Sequence, residues 1–115
     1  KKLSGLASPQ KKLAIPDVSG FEMVTEDDLL KLEGEGAYTN IYLKNSEKRM
    51  VSKSLGYFEG LLNPSVFIRI HKKYIVNMNE ISRMNRGVKS YLVLSSGDTV
   101  PVSRSRKNEV FSRII

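Results

Sequence analysis

From Gly20 onward the chain is a succession of short apolar runs, each stopped within a few residues by Gly, Asn, Asp, Ser or Pro. Runs this short do not supply a long amphipathic helix face; where they alternate, they form strands joined by tight turns. Residues 21–24 and 29–33 are predicted strands, separated by a single turn at 25–28 in which Thr25 bonds the following backbone N–H groups. Gly34-Glu35-Gly36 is the next turn, its glycines permitting positive φ. Residues 37–43 alternate, with Thr39, Ile41 and Leu43 on one face and Tyr38, Asn40 and Tyr42 on the other, and 48–52 returns beside them as a hairpin. Residues 66–70 and 74–76 are apolar strands around the basic insert His71-Lys72-Lys73. A meander follows over 81–85, 88–94 and 99–102, with turn signals at Arg86-Gly87 and Ser96-Gly97-Asp98. Pro101 has no N–H to give a ladder, so the last strand lies at an edge or ends there.

Two segments carry a helical stripe. In 54–62, Ser54 is the predicted cap, and Leu55, Phe58, Leu61 and Leu62 share one face. Gly56 and Gly60 each cost that helix roughly 1 kcal/mol of propensity, so docking must stabilise it. In 103–115 the stripe is Val110, Phe111, Ile114 and Ile115. Ahead of all this, residues 1–19 mix Lys pairs, Ser, Gly and two prolines without periodicity and read as a linker to a further module, leaving 20–115 as the folded domain. At 115 residues the chain has the size of one domain.

Charge is distributed unevenly. Residues 1–60 carry nine basic and nine acidic side chains, whereas residues 61–115 carry ten basic side chains against Glu80, Asp98 and Glu109. The second half therefore holds the whole net charge of +7, which points to a polyanionic partner. Arg104, Arg106 and Lys107 crowd the start of the last predicted helix, where the macrodipole disfavours cations. Either that start is simply solvated, or an anion such as a phosphate sits there.

Catalytic signatures are missing. There is no cysteine and one histidine, His71, with no HxxxH or HExxH spacing for zinc and no G-x-S-x-G elbow. Gly34-Glu35-Gly36 lacks the Lys-Ser/Thr of a phosphate loop, and the acidic run Glu26-Asp27-Asp28 sits in a predicted turn. No enzyme activity, metal, cofactor or small-molecule substrate is expected. No apolar run approaches the ~20 residues of a membrane-spanning helix.

The run Phe67-Ile68-Arg69-Ile70-His71-Lys72-Lys73-Tyr74-Ile75-Val76-Asn77 resembles the F-x-R-x-H-[RK]-[SK]-x-x-V-N signature of the LytTR DNA-binding domain of bacterial response regulators. Three further pieces stand in the expected order: Glu33 to Tyr38, similar to the family's EA-x-G-x-Y segment; Ser52-Lys53-Ser54-Leu55 before a short helix; and the closing Pro101-Val102-Ser103-Arg104. Lys72-Lys73 replace the more usual Arg-Ser, Gly34 replaces a common Ala, and Ala37 a common Asn. The resemblance covers about residues 20–115.

The resemblance implies a mostly β, elongated stack of small antiparallel sheets with one or two short helices, and no helix-turn-helix. It implies sequence-specific binding of double-stranded DNA by the output domain of a bacterial two-component transcriptional regulator. Loops would enter successive major grooves on paired direct repeats, with a dimer on the DNA, in the cytoplasm and at the nucleoid when bound. A receiver domain or membrane sensor would lie on the N-terminal side. Carried onto this chain, three loops face DNA: Tyr38-Thr39-Asn40, Arg69 to Lys73, and Ser103 to Lys107. Arg104, Arg106, Lys72 and Asn40 are the expected base readers, since Arg pairs bidentately with guanine. Arg69, His71, Lys73, Tyr38, Thr39, Ser103, Ser105 and Lys107 are the expected phosphate or loop contacts. Tyr38 can equally be a core residue, His71 can pack beneath its loop, and Asn77 reads as a turn-closing residue. The competing readings are a small β domain that binds RNA and a protein-interaction domain with an incidental basic surface.

Overall fold

The computed structural model describes residues 11–115, which form ten strands and two short helices. Strands β1 (Lys12–Asp17) and β2 (Gly20–Thr25) make a hairpin of their own. Strands β3 (Leu29–Glu35), β4 (Tyr38–Leu43), β5 (Lys48–Val51), β6 (Phe67–His71) and β7 (Tyr74–Asn77) form a five-stranded antiparallel sheet in the order β5-β4-β3-β7-β6. Strands β8 (Ile81–Asn85), β9 (Tyr91–Leu94) and β10 (Thr99–Pro101) form a three-stranded meander. Helix α1 (Leu55–Glu59) links β5 to β6, and α2 (Lys107–Ile114) follows β10.

The five-stranded sheet is the middle of a sandwich with two cores. On one face Leu32, Ile41, Leu43, Val51, Phe67 and Ile75 pack on Leu13, Ile15 and Val24 of the hairpin and on Leu55, Phe58 and Leu62 around α1. On the other, Leu30, Ile68, Ile70 and Val76 meet Leu92, Leu94, Val100 and Val102 of the meander and Val110 and Phe111 of α2. Strands covered on both sides need apolar residues in consecutive positions, which is why β6 and β7 read Phe-Ile-Arg-Ile and Tyr-Ile-Val. In β3 a bulge between Leu29 and Lys31 shifts the alternation by one residue, so Leu29 and Leu32, three apart, share the first core while Leu30 faces the second. The expected stack of small antiparallel sheets is what forms, measuring 44 × 40 × 24 Å.

Several local expectations hold. Ser54 caps α1, accepting from the Tyr57 N–H at 3.2 Å. Pro101 lies on an edge strand, and Asn77 closes its turn by accepting from the Asn79 N–H at 2.9 Å. The same side chain donates to the Leu29 carbonyl at 3.0 Å, joining β7 to the start of β3.

Others are corrected. Lys12–Asp17 was expected to be linker but is a strand: Leu13 and Ile15 alternate into the core, and Pro16 is tolerated because β1 has only one ladder. Residues 1–10 of the expected linker lie outside the described residues. The turn at 26–28 forms a 3-10 helix without a side-chain bond from Thr25. Glu26 is buried there instead, accepting from the Asn63 N–H at 3.2 Å with the Lys11 ammonium 3.8 Å away. The segment predicted as helix from 103 starts as a 3-10 turn, Arg104–Arg106, before α2 begins at Lys107. The strand expected over 88–94 begins only at Tyr91, because 86–90 is a loop braced by Asn85 at the end of β8, whose side chain accepts from the Gly87 N–H at 2.9 Å.

Candidate nucleic-acid interface

Antiparallel pairing brings two turns of the central sheet to one end. Glu33 pairs with Tyr74, and beyond that pair the Gly34 N–H donates to the Lys73 carbonyl at 2.8 Å, so the β3–β4 and β6–β7 turns lie side by side. Gly36 takes φ +63° in the first of these turns, which suits glycine. The β4–β5 ladder ends with Thr39 opposite Val51, bringing the exposed Lys53 to the same end.

The C-terminal segment is tied to the same end. The Ser103 N–H donates to the Ile70 carbonyl at 2.9 Å, and one residue earlier the Val102 N–H donates to the Ser90 carbonyl at 3.0 Å. The first bond sets the Arg104–Arg106 turn beside the β6–β7 turn; the second sets it beside the β8–β9 loop with Arg86 and Lys89. Lys53, Lys72, Lys73, Arg106, Arg104, Lys107 and Lys89 thus follow one another along a basic rim drawn from four separate segments. None of these seven forms an ion pair among the described residues.

The rim's single histidine reports on this crowding. His71 sits below the usual imidazole range because it is partly desolvated and faces the Lys73 ammonium and the Arg106 guanidinium. Its Nδ1 accepts from the Lys73 N–H at 3.1 Å, so the ring braces the turn that presents the two lysines. Beneath the rim, the Glu33 carboxylate accepts from the hydroxyls of Tyr42 (3.1 Å) and Tyr74 (3.3 Å). Both phenols sit above their ordinary range, first because they are desolvated and then because of Glu33. This pinning keeps β3, β4 and β7 together where the turns leave the sheet.

Of the expected contact residues, Lys72, Lys73, Arg104 and Ser105 are exposed, Arg106 and Lys107 half-buried, and Tyr38 half-exposed at 49%. Thr39 and Asn40, expected in a DNA-facing loop, are not at the surface: they are 0% and 3% exposed. Thr39 donates to the Lys53 carbonyl at 2.7 Å and Asn40 to Glu35 at 2.7 Å. Thr39 shares the face of Ile41 and Leu43 and is buried with the first core, while Asn40, on the opposite face, is held by the Glu35 carboxylate. Ser103 also points inward, with its Oγ buried and unpartnered. Arg69 is a structural link instead of a free cation: it donates to the carbonyls of His71 and Lys72 and to the Glu59 carboxylate at 2.8 Å. Lys53 and Lys89 are the rim cations that sequence reasoning missed. Lys53 stands in the charge-balanced half, and only the hairpin register brings it to the rim. No group of three or more metal-ligating side chains occurs among the described residues.

The family model for the LytTr DNA-binding domain matches residues 19–115. The chain belongs to the LytTR family. The match takes in the central sheet, the meander and every rim segment, so the rim belongs to a LytTR DNA-binding domain. The fold is also similar to the LytTr DNA-binding domain of a putative methyl-accepting/DNA response regulator from Bacillus cereus, with TM-score 0.78 and 25% identity over 92% of this chain and 98% of that one. Among curated proteins, the chain is 29% identical over 108 residues to the heme-containing CO-sensing transcriptional regulator RcoM 2 of Paraburkholderia xenovorans, covering 90% of this chain and 40% of that protein. It is 31% identical over 87 residues to the transcriptional regulatory protein LytR of Staphylococcus aureus, covering 74% and 35%. The LytTR chain thus spans about two fifths or less of the curated relatives it matches.

Proposed function

We propose that this LytTR domain is the sequence-specific, duplex-DNA-binding output unit of a bacterial transcriptional regulator. The observation that carries the reading is the basic rim, assembled from four segments, none of whose seven cations is ion-paired among the described residues. Charge of that kind supplies counterion-release affinity for a polyphosphate. Arg104, Arg106 and Lys72 are its base readers, being the rim cations on projecting turns, and Lys73, Lys107 and Lys89 hold phosphates. The 44 Å longest extent exceeds the ~34 Å helical repeat, which supports one domain reaching successive major grooves. The regulator binds paired direct repeats as a dimer on DNA and acts in the cytoplasm at the nucleoid. Its input module is a receiver or a sensor: one relative is named a heme-containing CO sensor, another a transcriptional regulatory protein, so related output domains serve different inputs.

Selection of preferred duplexes from a random library by this domain tests the proposal. Enrichment of a motif with two spaced copies is expected. No enriched sequence, with binding lost at moderate salt, would overturn it in favour of an incidental basic surface, and tighter binding to single-stranded RNA would favour an RNA partner.

A further inference from the structure

Beside the rim runs a groove whose floor and walls come from three places. The β3–β4 turn contributes Gly34 and Gly36, the start of α1 contributes Ser54 and Gly56, and the β6–β7 turn contributes Lys72 and Lys73. A Cβ on Gly36 would meet nothing within 4 Å, and one on Gly56 only the Ser54 Oγ at 4.0 Å, so the glycines leave open space next to two exposed ammonium groups. The Ser54 oxygen accepts from the Tyr57 N–H, which leaves its hydroxyl proton available to an outside acceptor. The two walls are joined through Arg69. Its guanidinium takes the Glu59 carboxylate of α1 on one side and the His71 and Lys72 carbonyls of the turn on the other.

We infer that this groove seats one backbone phosphodiester of the bound duplex, with Lys73 as its cation and Arg69 as the positioning residue that fixes the distance between its walls. The inference rests on the duplex-DNA reading and adds to it an address for a phosphate outside the Ser103–Lys107 segment. The chemistry is that of an anion with several acceptor oxygens: Gly36 and Gly56 allow close approach of a sugar-phosphate strand, the Lys73 ammonium replaces its counterion, and a hydroxyl donates. Arg69 contributes no counterion release, since its charge is already balanced by the Glu59 carboxylate at 2.8 Å.

Two variants with opposite electrostatic expectations test this. Gly56→Asp puts a carboxylate into the groove, in the first turn of a helix where Asp is well accommodated and Gly is not, so folding stability is kept or raised. Glu59→Ala removes a negative charge near the rim, which simple electrostatics says should tighten DNA binding, but it also frees Arg69 and lets the walls part. Each variant is titrated with preferred and scrambled duplexes over a range of salt, with Asn45→Asp in the β4–β5 turn as a charge-matched control. Gly56→Asp is expected to weaken binding roughly tenfold for both duplexes and to reduce the salt slope by about 0.9, one phosphate's worth. Glu59→Ala is expected to weaken it about three- to tenfold with the slope unchanged, as a positioning role requires. Asn45→Asp should bind like the wild type. If Gly56→Asp binds no worse than Asn45→Asp, or if Glu59→Ala binds more tightly than the wild type, the seat is overturned. Failure of the wild-type domain to bind duplex DNA would instead overturn the reading on which it rests.

Discussion

The backbone N–H of Ser103 donates to the carbonyl of Ile70 at 2.9 Å, and this bond fastens the C-terminal basic turn to the edge strand that carries the β6–β7 turn. Ile70 is fully buried, so its carbonyl has few alternative partners. Ser103→Pro removes the N–H and sets a ring carbon against that oxygen. It should destabilise the domain by about 1–3 kcal/mol in denaturant unfolding and weaken DNA binding beyond what the unfolded fraction explains. Ser103→Ala behaves differently, since the Oγ is buried without a partner. That variant should be as stable as the wild type or more so, because an unpaired buried hydroxyl is lost at no cost in hydrogen bonds. A large loss of stability in Ser103→Ala would show that the hydroxyl has a partner after all.

Gly34 is held to glycine by α1. A Cβ at this position would stand 3.1 Å from the Leu55 Cβ, and Leu55 is buried with Phe58 under the central sheet, so α1 has little room to retreat. Gly34→Val should therefore cost about 1–3 kcal/mol by overpacking, despite the strand preference of valine. Gly36→Ala serves as a comparison, because its penalty comes from the positive φ with no steric neighbour. Equal stability of Gly34→Val and wild type would mean that α1 moves freely.

His71 links pH to stability in the direction set by its lowered pKa. Burial, Lys73 and Arg106 favour the neutral ring in the folded domain, whereas the unfolded chain titrates near ~6.5. Below that value the unfolded state binds more protons, so stability is full above about pH 6.5 and is lost as pH falls through the folded-state pKa. Protonation also ends the bond that Nδ1 accepts from the Lys73 N–H. His71 is the chain's one histidine, which assigns any slope between pH 7 and 5 chiefly to it. His71→Asn keeps an acceptor near the same place without titrating, so its unfolding midpoint should be nearly flat across that range. A wild-type midpoint that is equally flat would remove His71 from the account.

What could be read from residue order was set by local physics. The turn glycines, Pro101 and the capping Ser54 act within a few residues of themselves, and each did what its type dictates. The run from Phe67 to Asn77 landed as two strands around a basic turn for the same reason. The burial of Asn40 was not legible, because it depends on how the β3–β4 hairpin closes: its amide donates to Glu35 and the side chain is 3% exposed. The setting of Arg69 was hidden similarly: a cation in a basic run looks available, but Glu59 and two carbonyls hold it. Lys12–Asp17 was hidden by its own composition, a proline and two lysine-flanked apolar residues that only the pairing with β2 turns into a strand. The basic rim was legible as an excess of charge but not as a line, since Lys53 and Lys89 join it through strand register.

On the proposed duplex-DNA reading, the rim cations divide into base readers and phosphate holders. Arg106→Ala should cost about 1–3 kcal/mol on the preferred duplex and relax selectivity at one base position, because a guanidinium that pairs with guanine discriminates. Lys89→Ala, on the β8–β9 loop, and Lys107→Ala should instead weaken preferred and scrambled duplexes by the same factor, each reducing the salt slope by about 0.9. Lys89 is the sharper test of the rim, because its loop reaches the Arg104–Lys107 segment through the β9–β10 pairing and the bond from the Val102 N–H to the Ser90 carbonyl that extends it. Titrations of all three variants over a salt series distinguish the roles. A uniform loss for Arg106→Ala would reassign it to phosphate, and a Lys89→Ala domain with wild-type affinity and slope would end the rim at Lys107.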